Sequence, residues 1–134
     1  MEAIERAQWR IIGATLVFLL TLGLAVAEAR AASAHVIDVK VRQTAAGAYD
    51  FDVTVRSDDN GWKQYADAIE VLTPDGRTLL KRRILLHPHD IEQPFTRDVY
   101  GVAVPDGTTS VLVRARMKPD GYSGDTMTVK LPGR

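Results

Sequence analysis

The sequence predicts an all-β domain, and two observations carry this prediction. From residue 35 onward, apolar and polar residues alternate with a period of two, which places one face of an extended strand in a core. Turn sequences of the Pro-Asp-Gly type separate these runs, and none of the runs has a sustained helical period. About seven short strands at regular spacing predict a two-sheet sandwich of the immunoglobulin or fibronectin type III kind, with a small closed barrel as the alternative.

The N-terminal part of the chain has the composition of an export signal. Residues 11–27 carry no charge, and Arg6 and Arg10 lie on their N-terminal side. We therefore expect a signal peptide over residues 1–34, a sandwich domain over residues 35–134, and a periplasmic or secreted protein. An uncleaved signal anchor is the alternative, and the positive flank would then still leave the domain outside the cytoplasm.

Two cleavage sites fit the small residues that follow the apolar segment. Cleavage after Ala34 follows the pattern Ala32-Ser33-Ala34 and is the site we favour, since it satisfies the small-x-small rule. It would make His35 the first residue of the mature protein. Cleavage after Ala27 is the second candidate and would start the chain at Glu28.

The strands can be placed from the apolar alternation. The clearest covers residues 49–55, where every second residue is aromatic or Val. An earlier strand has Ile37, Val39 and Val41 as its expected inward face. The further strand candidates are residues 68–73, 78–86, 99–104, 110–117 and 126–131.

Composition excludes several classes of site. The chain of 134 residues has no Cys, so its core has no disulfide and no thiolate metal site. Lys plus Arg and Asp plus Glu number 17 each, and this balance gives no net field for nucleic acid. Ser57, Ser110 and Ser123 lie in no nucleophile motif, so no catalytic residue is assigned and we do not expect an enzyme.

The segment His87-Pro88-His89 carries the strongest hint of a chemical site. Its imidazoles are two residues apart, which places them on the same side of an extended chain. Imidazole and carboxylate groups are ligands for zinc, copper(II) or nickel. If cleavage follows Ala34, the free amino group of His35 could join them in a copper(II) site, and the candidate ligands are then His35, His87, His89, Asp90 and Glu92. The alternative is that both imidazoles are ordinary polar groups at a strand end.

This candidate site resembles the N-terminal-His copper sites of periplasmic copper-carrier β-sandwiches and of copper-dependent polysaccharide monooxygenases. The resemblance covers the expected first residue, His35, and the paired His segment, and it does not extend to the sequence between them. It implies copper(II) as a cofactor, where otherwise none is expected.

Aromatic residues form a second candidate surface. Trp62 and Tyr65 follow a glycine turn, and in a sandwich such a Trp commonly plugs one end of the core. Packing in the core is therefore the favoured interpretation, and a platform for a sugar or peptide is the alternative. Tyr122, in the loop before the last strand, is the third candidate residue of a ligand or partner surface.

Several segments together resemble an uncharacterised family of short exported proteins of proteobacteria. They are Gly61-Trp62, Tyr65-Ala66-Asp67, Leu86-His87-Pro88-His89, Glu92-Gln93-Pro94-Phe95-Thr96-Arg97 and the loop Gly121-Tyr122-Ser123-Gly124. The resemblance covers residues 35–131. It implies a compact exported β-domain and brings no activity with it.

The basic run Lys81-Arg82-Arg83 lies inside an expected strand, where it indicates a protected sheet edge rather than an anion site. With no catalytic motif, we expect a non-enzymatic binding or accessory module of the cell envelope. Its expected partner is an envelope protein or a glycan, with no nucleic acid, and with membrane contact only through an uncleaved leader. The alternative function is a periplasmic copper(II)-binding protein.

Overall fold

A computed structural model describes residues 31–134. The expected leader therefore lies outside the described residues, except for its last four positions. Seven strands follow one another, and they are β1 (Ala34–Ala45), β2 (Ala48–Ser57), β3 (Tyr65–Leu72), β4 (Leu79–Ile84), β5 (Phe95–Ala103), β6 (Ser110–Lys118) and β7 (Met127–Lys130). Within residues 31–134, no helix has the length and hydropathy needed to cross a membrane.

The strands form two antiparallel sheets, as the sandwich prediction requires. One sheet has the order β1-β2-β5, and the other has the order β4-β3-β6-β7. In an immunoglobulin constant domain the fourth strand extends the first of these sheets. Here it pairs with β3 instead, which is the arrangement of fibronectin type III domains. The prediction of a seven-strand sandwich is confirmed, and the closed barrel is not formed.

The core fills the space between the two sheets. Every second residue of β2 between Tyr49 and Val55 is fully buried, as its alternation predicts. From the second sheet, Ile69 and Val71 of β3 and Val113 of β6 face them. Burial of each such side chain contributes about 1.5–3 kcal/mol, so this core is the main source of stability in the described part of the chain.

The first strand departs from its expected alternation at one point. A register shift lies between Val36 and Asp38 where β1 pairs with β2. Such a bulge adds one residue to one strand and reverses the faces on its two sides. Val36 is therefore buried, whereas Ile37 is 40% exposed. The prediction that Ile37 faces the core is wrong, while Val39 and Val41 pack against the core as expected.

The sandwich also begins earlier than the boundary expected at His35. Ala32 and Ala34 are only 4% and 1% exposed, and both belong to the core cluster. Ala34 already pairs with Ser57 of β2. The residues just before His35 are therefore part of the folded domain.

Strand β4 is an edge strand, as its basic run predicted. Arg83 donates from Nη1 to the carbonyl oxygen of Asp98 at 2.8 Å and also forms an ion pair with the Asp98 carboxylate. Since Asp98 lies on β5 in the other sheet, this contact closes the gap between the two sheets at that edge. Arg82 points to the outer face, where it contacts Glu70.

Candidate functional site

Three loops meet at one end of the sandwich because successive strands are antiparallel. They connect β2 to β3 (residues 58–64), β4 to β5 (residues 85–94) and β6 to β7 (residues 119–126). Residues 31–33, which precede β1, lie at this loop end too, since Ser33 exchanges hydrogen bonds with Asp58. In antibody variable domains the binding loops lie at one end of a sandwich in the same way. All sequence segments singled out as candidates, except part of the basic run, lie at or beside this loop end.

The carboxylate of Asp59 holds two of the three loops together. Its side chain is fully buried, and it accepts hydrogen bonds from Ser57 Oγ at 2.7 Å, Ala66 N at 2.8 Å and His89 N at 2.7 Å. Hydrogen bonds to a charged acceptor contribute more than neutral ones. This role of Asp59 has no signal in the sequence, because Asp59-Asn60-Gly61 indicates only a turn and the partner His89 is 30 residues away.

Gln93 forms a second link between the same loops. Its Oε1 accepts from Ser57 N at 2.9 Å, and its Nε2 donates to His89 O at 2.9 Å and to Ser57 Oγ at 3.1 Å. Gln93 therefore satisfies groups on both loops at once. The base of the loop end is a fixed hydrogen-bonded structure rather than a set of independent turns.

The paired histidines form part of a stack of three rings. His89 lies parallel to Phe95, with ring centroids 3.9 Å apart and an interplanar angle of 10°. His87 covers its other side at 4.6 Å and 37°. His89 is 2% exposed, and neither of its ring nitrogens has a hydrogen-bond partner among the described residues. Burial is the main cause that lowers the pKa of His89 below its ordinary value, and Arg97 and His87 lower it further, while the carboxylates of Asp59 and Glu92 oppose this shift.

The candidate metal ligands do not converge in the described part of the chain. Nδ1 of His35 accepts a hydrogen bond from Asp125 N at 3.0 Å. The carboxylate of Glu92 is paired with Arg97 at 3.2 Å, and Asp90 is exposed in the loop. Across residues 31–134, no three His, Asp or Glu side chains are grouped so that they could hold an ion.

Stacked rings also suit a metal poorly, because an imidazole binds metal in the plane of its ring. His87 and His89 face one another through their rings, and Nδ1 of His87 is already hydrogen-bonded to Pro88 O at 2.9 Å. A copper(II) ion would require both rings to turn. The copper site therefore stays a prediction.

The loop from residue 119 to residue 126 closes over the start of β1. Ser123 Oγ donates to Ala32 O at 2.8 Å, and Asp120 accepts from Ala32 N at 3.2 Å. Gly124 lies directly against the backbone of Ala34, since a Cβ atom added to Gly124 would be 1.7 Å from Ala34 O. Only glycine fits there, and this explains the Gly of the Gly-Tyr-x-Gly loop. Residues 32–34 are thus clamped in place.

The aromatic candidates lie on the outer face of the four-stranded sheet. Trp62 is 64% exposed and contacts Tyr65 edge-on, with ring centroids 5.8 Å apart. The expectation that Trp62 plugs the core is wrong, because most of its side chain is exposed to solvent. Tyr65 pairs with Lys118 of β6, whose ammonium lies 5.7 Å from the Tyr65 ring.

A buried carboxylate lies at the centre of this outer face. Glu70 is 0% exposed, and its two oxygens accept from Arg82 Nε at 2.5 Å and from Arg114 Nε at 2.9 Å. Tyr122 covers Arg114, with the guanidinium carbon 3.6 Å from the ring centroid. Burial would raise the pKa of Glu70, but hydrogen bonds from Arg114 and Arg82 outweigh it and lower the pKa. Glu70 is therefore ionised.

Two further residues of β6 extend the charged surface. Arg116 binds Asp67 through Nε at 2.8 Å and Nη2 at 3.2 Å, and Lys118 follows two positions along on the same face. We name this surface the arginine face, and it comprises Trp62, Tyr65, Asp67, Glu70, Arg82, Arg114, Arg116, Lys118 and Tyr122. Sequence reasoning found its three aromatic residues and missed its ionic centre.

Comparison with known proteins identifies a distant relative. The chain is 43% identical over 96 residues to a protein of Halomicrobium mukohataei named "Putative lipoprotein", and the match covers 72% of this chain and 46% of that protein. The chain thus spans less than half the length of this relative. No family model matches the chain, and no solved structure matches it. The resemblance to exported proteins of proteobacteria therefore stays a prediction.

Proposed function

We propose that the chain is an exported, non-enzymatic binding or accessory module of the cell envelope. The observation that carries the proposal is the N-terminal sequence, in which Arg6 and Arg10 precede the uncharged residues 11–27. The relative's name, which includes the word lipoprotein, supports an envelope location.

Binding is proposed because the sandwich exposes aromatic side chains on a rigid base. Trp62 and Tyr122 are 64% and 42% exposed, while the strands beneath them hold fully buried residues. Large exposed aromatic groups on a small domain are typical of contact surfaces. The proposed partner is an envelope protein or a glycan.

We further propose that cleavage follows Ala27 rather than Ala34. A cut after Ala34 would remove Ala32 and Ala34 from the core and would break the hydrogen bonds that clamp residues 32–34 to Ser123 and Asp120. A cut after Ala27 leaves all of these contacts in place.

The test is cell fractionation combined with the intact mass of the purified protein. We expect the protein in the envelope or periplasmic fraction, with a mass that begins at Glu28. A cytoplasmic location with residues 1–27 retained would contradict export, and a mass beginning at His35 would contradict the proposed cut. The double variant Arg6→Glu, Arg10→Glu should reduce export. Lys130→Glu serves as the matched control, because Lys130 lies on β7, far along the chain from the export signal.

The alternative function, a copper(II)-binding protein, makes a separate prediction. It requires a free amino group at His35, and binding must then be lost in His35→Ala and weakened in His89→Ala. Isothermal titration of the mature protein with copper(II) tests it. The observation that supports this alternative is that neither ring nitrogen of His89 has a hydrogen-bond partner among the described residues.

A further inference from the structure

We propose that the arginine face binds an anionic polysaccharide, with its acidic groups on Arg82 and Arg114 and a sugar ring against Tyr122 or Trp62. This proposal rests on the proposed envelope location, since that is where the protein would encounter the polysaccharide. The binding itself is a property of the purified chain and can be tested without reference to location.

The two central arginines are oriented for an anion. Glu70 holds both through Nε, at 2.5 Å for Arg82 and 2.9 Å for Arg114. Within residues 31–134, both guanidinium groups donate a hydrogen bond only through Nε, so their terminal nitrogens have no acceptor there. A guanidinium presents its donors as a planar fork that fits carboxylate, sulfate or phosphate with two parallel hydrogen bonds. Because the buried carboxylate fixes each fork in advance, little side-chain entropy is lost on binding.

The aromatic residues beside these forks suit a sugar. Tyr122 contacts Arg114, with the guanidinium carbon 3.6 Å from the ring centroid, and 42% of Tyr122 remains exposed. Trp62 is braced edge-on by Tyr65 at the end of the same face. The apolar C–H face of a sugar ring packs against an aromatic ring, while the hydroxyl groups remain hydrated or reach polar neighbours such as Lys118.

The charge of the surface favours an acidic polymer over a neutral one. The arginine face carries four cations, Arg82, Arg114, Arg116 and Lys118, and two carboxylates, Asp67 and Glu70, which leaves two positive charges in excess. The whole chain has no formal net charge, so this excess is local to the face. Local complementarity of this kind selects partners of opposite charge.

A membrane fits this face less well than a polysaccharide. Insertion into a bilayer needs apolar side chains that project from the surface. Here Tyr122 is packed against Arg114, and the centre of the face is a fixed ionic group at Glu70. Trp62 and Ile84 are 64% and 51% exposed around this ionic group, so binding to lipid vesicles is measured beside binding to the polymers. A charged centre with two positive charges in excess suits a polymer of acidic sugars.

The test measures binding of the purified protein to three polymers at 150 mM NaCl, where long-range charge effects are largely screened. The probes are polygalacturonate, which carries carboxylates, dextran sulfate, which carries sulfates, and uncharged dextran. Affinity electrophoresis gives a dissociation constant for each. We expect binding to one or both acidic polymers and none to dextran, and the two acidic probes show which anion is preferred.

Variants locate the binding surface. Trp62→Ala removes an exposed ring without touching the core, and Arg82→Gln removes one fork while Arg114 still pairs with Glu70; each should weaken binding at least tenfold. The matched controls are Tyr100→Ala and Arg42→Gln, because Arg42 lies 5.6 Å from the Tyr100 ring on the other sheet. These two variants should bind as the unaltered protein does.

Four results would overturn the proposal. They are no binding to either acidic polymer, equal binding to dextran, unchanged binding in both Trp62→Ala and Arg82→Gln, and tighter binding to phosphatidylglycerol vesicles than to the polymers. Arg82→Gln is expected to lower the thermal midpoint, because Glu70 loses one of its two partners. A midpoint well above the assay temperature in every variant ensures that lost binding is not lost folding. Failure here leaves the export proposal standing, since that proposal is judged by fractionation alone.

Discussion

Replacing Glu70 by Gln tests whether the ionic centre of the arginine face stabilises the fold. Glu70 is fully buried and is the shared acceptor for Arg82 and Arg114. The amide keeps the shape of the side chain, but it loses the negative charge and turns one acceptor into a donor that faces a guanidinium. Removing one partner from a buried ion pair costs about 3–5 kcal/mol when the remaining charge cannot reach water.

In this protein the remaining charges can reach water. The side chains of Arg82 and Arg114 are 38% and 25% exposed, so both guanidinium groups can be hydrated once the carboxylate is gone. We therefore expect Glu70→Gln to lower the free energy of unfolding by about 2–3 kcal/mol, below the fully buried case. For a domain of about 100 residues, this corresponds to a decrease of about 8–20 °C in Tm.

Urea unfolding followed by circular dichroism measures this loss, with Asp52→Asn as the matched control. Asp52 pairs with Arg42 at 3.0 Å on the outer face of the other sheet, where the two side chains are 38% and 47% exposed. Its substitution should leave the unfolding midpoint unchanged within error, since exposed pairs contribute little. A loss below about 1 kcal/mol in Glu70→Gln would refute the stabilising role of the buried carboxylate.

Two further predictions concern the loop end. Asp59→Asn should lower the free energy of unfolding by about 1–3 kcal/mol, because one of the buried donors at Ala66 N and His89 N would face an amide hydrogen. Hydrogen exchange at these two amides should become faster, and unchanged exchange would contradict the prediction. The pKa of His89 lies below its ordinary value of 6.5 in the folded protein, mainly because of burial. The unfolded chain therefore binds more protons just below pH 6.5, so the free energy of unfolding should fall as the pH decreases from 6.5 toward 5. Urea midpoints across this range should show that slope, and His89→Phe should flatten it; an equal slope in both proteins would rule out His89 as its source.

The fold was predictable because apolar and polar residues alternate along its strands, and this pattern is local in the sequence. The face of β2 from Tyr49 to Val55 needs only the period of two, and the edge position of β4 could be inferred from Lys81-Arg82-Arg83. The adjacent apolar residues Val36 and Ile37 interrupt the alternation, but they do not show which of the two faces the core, since the position of a bulge depends on the partner strand.

The candidate site was predictable only where one residue type stands out. Trp62 and Tyr122 are recognisable in the sequence as aromatic residues beside glycine turns, but the favoured interpretation placed Trp62 in the core and only the alternative exposed it. Glu70 sits inside an apolar run, and its partners Arg82 and Arg114 are 12 and 44 residues away. A pairing at such separation becomes visible only when the sheet is assembled.

The position of Glu70 also has a consequence for how the strands align during folding. Sliding β4 by two residues so that Ile84 lies opposite Glu70 in place of Arg82, the partner in the native register, would keep Ile84 on the outer face. The alternation of strand faces therefore discriminates weakly against this slip. The carboxylate would then be buried beside an aliphatic group with one cation fewer. Glu70 therefore favours the native register of β4 over the slipped one. In this role a buried charge favours one structure over its close competitors.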